Sequence, residues 1–206
     1  MAGEITHIVL ADKVFDKFFQ DKNRKDFYIG TVFPDIRLLG IAKREETHPS
    51  LQDIKLGNIK QEKNSFLAGI KFHSLVDVVE DSFMSLKGLF SPKTDSPLEF
   101  LEEELYYNKI SNWNEIIDFL NTILPEELSF HVNIQEKDIK KWHKLLQKGF
   151  SDKPNNKIRK ELAEGAGFSK SFIDRLTEST AEINKDERVV KAIEEFYNNF
   201  ESILAK

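Results

Sequence analysis

The sequence predicts an all-α fold: a single domain of about eight helices. Three observations carry this. Apolar residues return at three- and four-residue spacing in one segment after another, the period of a helix with one buried face. No window shows the strict alternation of apolar and polar residues that a half-buried strand needs. Serine–proline pairs at Ser91-Pro92 and Ser96-Pro97 stand between periodic segments, where helices stop and start. At 206 residues the chain can bury one sizeable core, and neither an internal repeat nor a low-complexity linker divides it.

The elements follow in order. Residues 4–20 read as an amphipathic helix, with His7, Leu10, Ala11, Val14 and Phe18 on its inward face. Residues 25–33 form a short apolar segment stopped by Pro34. Residues 34–60, with Pro34, Gly40, Pro49 and Gly57, read as a long loop holding a turn or two of helix. A loop that long inside a compact domain is usually functional. Residues 62–88 are the longest helix, with Phe66, Gly69, Ile70, His73, Val76, Asp77 and Phe83 or Met84 along one face. Further helical patterns fall at about 98–107, 112–124, 136–149, 156–163, 168–179 and 186–204. Ser96 before Pro97 reads as an N-cap, and Asp138 and Asp186 as carboxylates at helix starts. Gly165-Ala166-Gly167 lacks a phosphate loop's lysine and preceding strand, and reads as a helix–helix turn.

Composition narrows the function. There is no cysteine, so a metal would have to sit on histidine, carboxylate or backbone oxygen. A net charge of −5 argues against a generic nucleic-acid binder. The N-terminal segment has no basic leader, and no window approaches the roughly 20 apolar residues of a spanning helix, so a cytoplasmic protein without stable membrane insertion is the expectation.

The sharpest local feature is His73-Ser74-Leu75-Val76-Asp77. Four residues at 100° each bring the imidazole and the carboxylate onto one helix face, a turn apart, in bite geometry for one ion. An exposed i,i+4 hydrogen bond is the plain alternative. His7 is on an apolar face, as core histidines are. Asp35 follows Pro34 where a helix-start cap would stand, and His48 lies in the loop Glu46-Thr47-His48-Pro49-Ser50.

Taken together, these segments resemble the zinc-dependent phospholipase C-like family, which is related in fold to the S1/P1 nucleases. The resemblance rests on Thr6-His7 through Ala11, on Gly30-Thr31-Val32-Phe33-Pro34-Asp35-Ile36, on Thr47-His48, and on Phe66-Leu67-Ala68-Gly69 through His73 and Asp77. It covers residues 5–80 or so, so that residues 1–90 carry most of the site and 91–206 are the helical remainder. It implies that Asp35, His48, His73 and Asp77 form one metal site, and that His7 belongs to a neighbouring one sharing Asp77. The family's N-terminal tryptophan ligand is missing from a chain that begins Met-Ala-Gly. Of its downstream histidine and His-x-x-x-Glu pair, only His131 and His143 are on offer, and position 147 is glutamine. One or two ions are therefore expected, with Glu80, Asp81 or a carboxylate from Glu102, Glu103 and Glu104 as replacements. Asp81 shares a helix face with His73 and Asp77. Both His131 and His143 read as ordinary structural residues.

Imidazole and carboxylate donors suit zinc, with manganese or iron as alternatives. The expected reaction is hydrolysis of a small phosphorylated substrate by activated water, with Asp35 as the general base that the resemblance implies. Arg37, Lys43 and Arg44, in the same loop, are candidates to hold the phosphate. A metal-stabilised binding module without turnover is the alternative. An HD-type phosphohydrolase is the second, although no His-Asp dipeptide occurs.

Overall fold

A computed structural model describes residues 2–50, 54–89 and 95–155, positions 157, 158, 160, 161, 164 and 167, and residues 169–205. Among these residues the chain is all helical and contains no strand. Eleven α-helices are present: α1 (Glu4–Phe18), α2 (Arg24–Val32), α3 (Arg44–Thr47), α4 (Leu56–Gln61), α5 (Ser65–Leu86), α6 (Asp95–Tyr106), α7 (Trp113–Phe119), α8 (Pro125–Phe130), α9 (Glu136–Phe150), α10 (Lys170–Ile183) and α11 (Glu187–Leu204). The expected patterns at 156–163 and at Gly165 and Ala166 lie wholly or in part outside the described residues.

The count exceeds the eight expected because local capping turns short segments into helices. The apolar segment before Pro34 is α2, opened by Asn23, whose side chain accepts from the Asp26 amide at 3.1 Å. The 34–60 stretch holds a 3₁₀ helix (Pro34–Leu39), α3 and α4. The 3₁₀ helix ends at Gly40, whose φ of 75° is left-handed and suits glycine. At α8, Pro125 occupies the first turn and the Glu127 carboxylate accepts from the Leu124 amide at 2.7 Å. The C-terminal helix starts where Asp186 caps it, accepting from the Arg188 amide. Helix α6 begins at Asp95, so Ser96 falls within the helix rather than capping it.

The core is built on α5, the longest helix at 22 residues. Helix α2 lies against it more intimately than any other pair, and glycine is the reason. A Cβ placed on Gly30 would strike the Phe66 carbonyl, and one on Gly69 would strike the Phe27 carbonyl, so the two backbones touch at their crossing. Around that contact the phenylalanines interlock: Phe19 and Phe27 at 4.7 Å between centroids, Phe27 and Phe72 at 5.5 Å, Phe33 and Phe66 at 5.1 Å. Phe196 and Phe200 of α11 are fully buried against Phe83 and Phe72, so that helix closes the domain's own core.

Candidate metal centre

The candidate ligands come from four elements that meet beside this crossing: α1, the 3₁₀ helix, the end of α3 and α5. Helix α1 brings His7 inward, with no exposed surface, and its ring stacks on that of His73 at 3.8 Å between centroids. The 3₁₀ helix after Pro34 carries Asp35, 7% exposed, and Arg37 holds its Oδ1 at 3.0 Å. The end of α3 presents His48. Helix α5 supplies His73 and Asp77, both buried.

A hydrogen bond fixes which ring nitrogen of His73 carries its proton. His73 Nδ1 lies 2.9 Å from the carbonyl of Thr31 in α2, and a carbonyl can only accept, so Nδ1 is the protonated nitrogen. His48 Nδ1 lies 3.2 Å from the Arg44 carbonyl, which can only accept, and 2.9 Å from the Thr47 hydroxyl, which can donate or accept. The two Nε2 atoms lie 3.2 Å apart, the distance of a hydrogen bond when His48 carries its proton on Nε2. Burial pushes both imidazoles down, His73 to about 3 with His7 adding to the effect and His48 to about 4 with Arg44 adding to it, so both rings are uncharged near neutral pH. Burial alone would raise the Asp77 carboxyl, yet His73, His7 and Arg44 hold it well below the usual carboxylate range.

Two groups of three among the described residues bring ligand atoms within 4.8 Å of one another: His7, Asp35 and His73, and His48, His73 and Asp77. The carboxylate distances are 3.8 Å from His73 Nε2 to Asp35 Oδ2, 3.8 Å to Asp77 Oδ2, and 3.9 Å from His48 Nε2 to Asp77 Oδ2. His7 Nε2 lies 3.4 Å from Asp77 Oδ1, but neither ring nitrogen of His7 makes a hydrogen bond. The shared member of the two groups is thus His73, with Asp77 beside both. Both ring nitrogens of His7 and Asp77 Oδ1 are buried without a hydrogen-bond partner, and with the other ligand atoms at separations close to the edges of a coordination shell they fit a divalent cation.

The other candidates fall in distinct places. Glu80 is buried three residues beyond Asp77, and its carboxyl meets that of Glu102 on α6. Neither Glu102 oxygen, nor Glu80 Oε2, receives a hydrogen bond. Burial, then the charge of Glu80, pushes Glu102 well above the usual range. Burial, Asp35 and Glu103 likewise push Glu4 up to about 8. Glu103 instead caps α1, accepting from the Ile5 amide at 3.1 Å, while Asp81 belongs to neither group of three. Arg44 reaches Asp77 Oδ2 at 2.6 Å. Arg44 also lines a cleft of about 490 Å³ with Glu45, His48, Pro49, Ile54, Ser74 and Val78, whereas Arg37 stays on Asp35.

His131 and His143 are outside the centre. His143 is buried, with Nδ1 on the Leu120 carbonyl at 3.0 Å and Nε2 on Glu127 at 2.7 Å, a tie between α9 and α8. His131 Nε2 lies 3.6 Å from Glu46. Gln147 bonds Asn121 at 2.9 Å. The Thr31 carbonyl and the Glu127 partner carried no signal in the sequence, since a backbone atom has no letter and the His143–Glu127 pair is 16 residues apart.

No protein-family model, curated protein or solved structure matches the chain. Among the described residues, no helix is long and apolar enough to cross a membrane.

Proposed function

We propose that the protein is a metal-dependent phosphoesterase whose centre is built from His7, Asp35, His48, His73 and Asp77. The observation that carries this reading is the convergence of the His48 and His73 Nε2 atoms, 3.2 Å apart, with the Asp35 and Asp77 carboxylates 3.8–3.9 Å from them. Two nitrogens held at about 2.05 Å by one tetrahedral ion stand about 3.3 Å apart. The donor set of imidazole and carboxylate suits zinc, with manganese or iron served by the same atoms. When bound, such an ion supplies Lewis acidity, making water acidic enough to attack near neutral pH and offsetting charge on phosphoryl oxygens.

The residues of the chain supply the rest. Asp35 is oriented by Arg37 through Oδ1, which leaves Oδ2 toward the centre to take a proton from the attacking water. The water oxygen forms a bond to phosphorus, and the ester P–O bond breaks. The alkoxide leaves with that electron pair and is protonated from solvent. Arg44, beside Asp77 and facing the cleft, supplies the positive charge that draws in a phosphate.

Elemental analysis of protein purified without chelator or metal-affinity resin tests this, beside His73→Ala and a phosphomonoester hydrolysis assay. One or two equivalents of a transition metal, lost with His73→Ala together with hydrolysis, is the expected result. No metal in the wild type, even after reconstitution with zinc, would overturn the reading. Metal without turnover would leave a binding module.

A further inference from the structure

The cleft beside the centre has a composition that says more than its position. Its volume of about 490 Å³ is in the range of small-molecule sites rather than surface grooves for polymers. Pro49, Ile54 and Val78 give it an apolar wall. Among the described lining residues Arg44 is the one lysine or arginine, and the acid Glu45 stands opposite in charge. A chain of phosphates would need several cations and would meet Glu45, so the charge fits one phosphoryl group.

The floor holds a second clue, at Ser74. This residue is 3% exposed, and its hydroxyl has no hydrogen-bond partner among the described residues. Some helical hydroxyls in the protein bond back to the carbonyl one turn before, Thr31 to Phe27 at 2.8 Å, Ser82 to Val78 at 2.7 Å and Thr180 to Leu176 at 2.8 Å, whereas the buried hydroxyl of Thr6 in α1, like that of Ser74, makes no hydrogen bond. Ser74 forgoes that bond while lining the cleft one residue from His73. A buried hydroxyl without a partner costs free energy unless a ligand supplies one.

We infer that the substrate is a compact phosphomonoester with an uncharged, apolar organic group. That group lies on Pro49, Ile54 and Val78, and Arg44 and the Ser74 hydroxyl hold the phosphoryl group against the centre. This rests on the phosphoesterase reading and adds to it the substrate class and Ser74 as a binding residue.

Calorimetric titration of zinc-loaded protein with inorganic phosphate, benzylphosphonate and 2-aminoethylphosphonate, none of which can be hydrolysed at an ester bond, tests it. Benzylphosphonate is expected to bind about tenfold more tightly than inorganic phosphate, the value of a small apolar group removed from water. Ile54→Ser and Val78→Ser, each made alone, should shrink that difference and leave phosphate binding intact. Ser74→Ala should weaken all binding about tenfold while Tm stays level or rises, because the substitution removes a cost from the free protein. Equal binding of benzylphosphonate and phosphate would overturn the substrate class while the metal reading stands. Tightest binding of 2-aminoethylphosphonate would overturn it in favour of a cationic group paired with Glu45. Unchanged affinity in Ser74→Ala would remove Ser74 from the site. Failure to load zinc at all would sink the phosphoesterase reading, and this inference with it.

Discussion

Gly30 and Gly69 meet where α2 crosses α5, and the backbone of each helix occupies the space a side chain on the other would need. This contact sets the distance between the two helices that carry His73 and its carbonyl partner, so it fixes the site as well as the core. Gly69→Ala should therefore cost about 3 kcal/mol, the upper part of the usual range for overpacking. Thermal unfolding would show this as a fall of about 6–12 °C for a chain of this size. An unchanged Tm would mean that the crossing is looser than described.

Arg44 and a metal would share one carboxylate oxygen. Its Nη2 lies 2.6 Å from Asp77 Oδ2, the same atom that stands 3.8 Å from His73 Nε2. Arg44→Ala should accordingly tighten zinc binding several-fold in a chelator-competition titration, since a competing positive charge is gone. The metal-free variant should be less stable by about 1–3 kcal/mol, because Asp77 is left buried with one partner fewer. Zinc should restore that loss. Weaker zinc binding in the variant would show that Arg44 organises the site rather than competing in it.

The carboxyl pair of Glu80 and Glu102 gives the metal-free protein a definite pH signature. Both are raised above their ordinary value, by burial first, with Glu102 pushed up further by the charge of Glu80. A carboxyl with a raised folded pKa contributes stability that is fully present below its unfolded value near 4.5. That contribution is lost as pH climbs toward the folded value, because folding must then take up a proton. Glu102→Gln removes this proton uptake, so its stabilising effect should be greater at pH 8 than at pH 5, by at most about 1.4 kcal/mol per proton and pH unit. Urea unfolding at the two pH values, with chelator present, measures it. A loss of stability at both would mean that the Glu102 carboxyl makes a stabilising contact that the amide does not replace.

His143 should be silent in metal binding and costly in folding. Its ring bridges the Leu120 carbonyl and the fully buried Glu127. His143→Ala should lower stability by about 3–5 kcal/mol, as removal of one partner from a buried pair does, without changing the metal content of the protein that folds. A fall in metal equivalents to zero would place His143 in the centre after all.

Much of this arrangement could be read from the letters. His73 and Asp77 declare their common face by spacing alone, and the 22-residue α5 follows from the period of Phe66, Ile70, His73 and Val76. The segment ending at Pro34 read only as apolar, because nine residues are too few for periodicity to separate helix from strand. What decides it is Asn23 capping the Asp26 amide. The carboxylates of α6 illustrate the opposite limit. Glu102, Glu103 and Glu104 stand together in sequence as three equivalent acids. Only the packing of α6 on α1 makes Glu103 a cap for Ile5, while Glu102 is turned toward Glu80. The stacking of His7 on His73 is likewise a long-range contact between two helices whose spacing says nothing about their crossing.

The proton on His73 is placed by the Thr31 carbonyl, a group that every amino acid at position 31 would carry. A mutational scan would thus find position 31 tolerant with respect to the tautomer, however essential that bond is. Its failure could be provoked only by moving the strand of backbone that holds the oxygen. Metal-loss variants should accordingly appear at neighbouring glycines that touch no ion, and a reader of such a scan who looked for ligands among the sensitive positions would count Gly30 and Gly69 as puzzles.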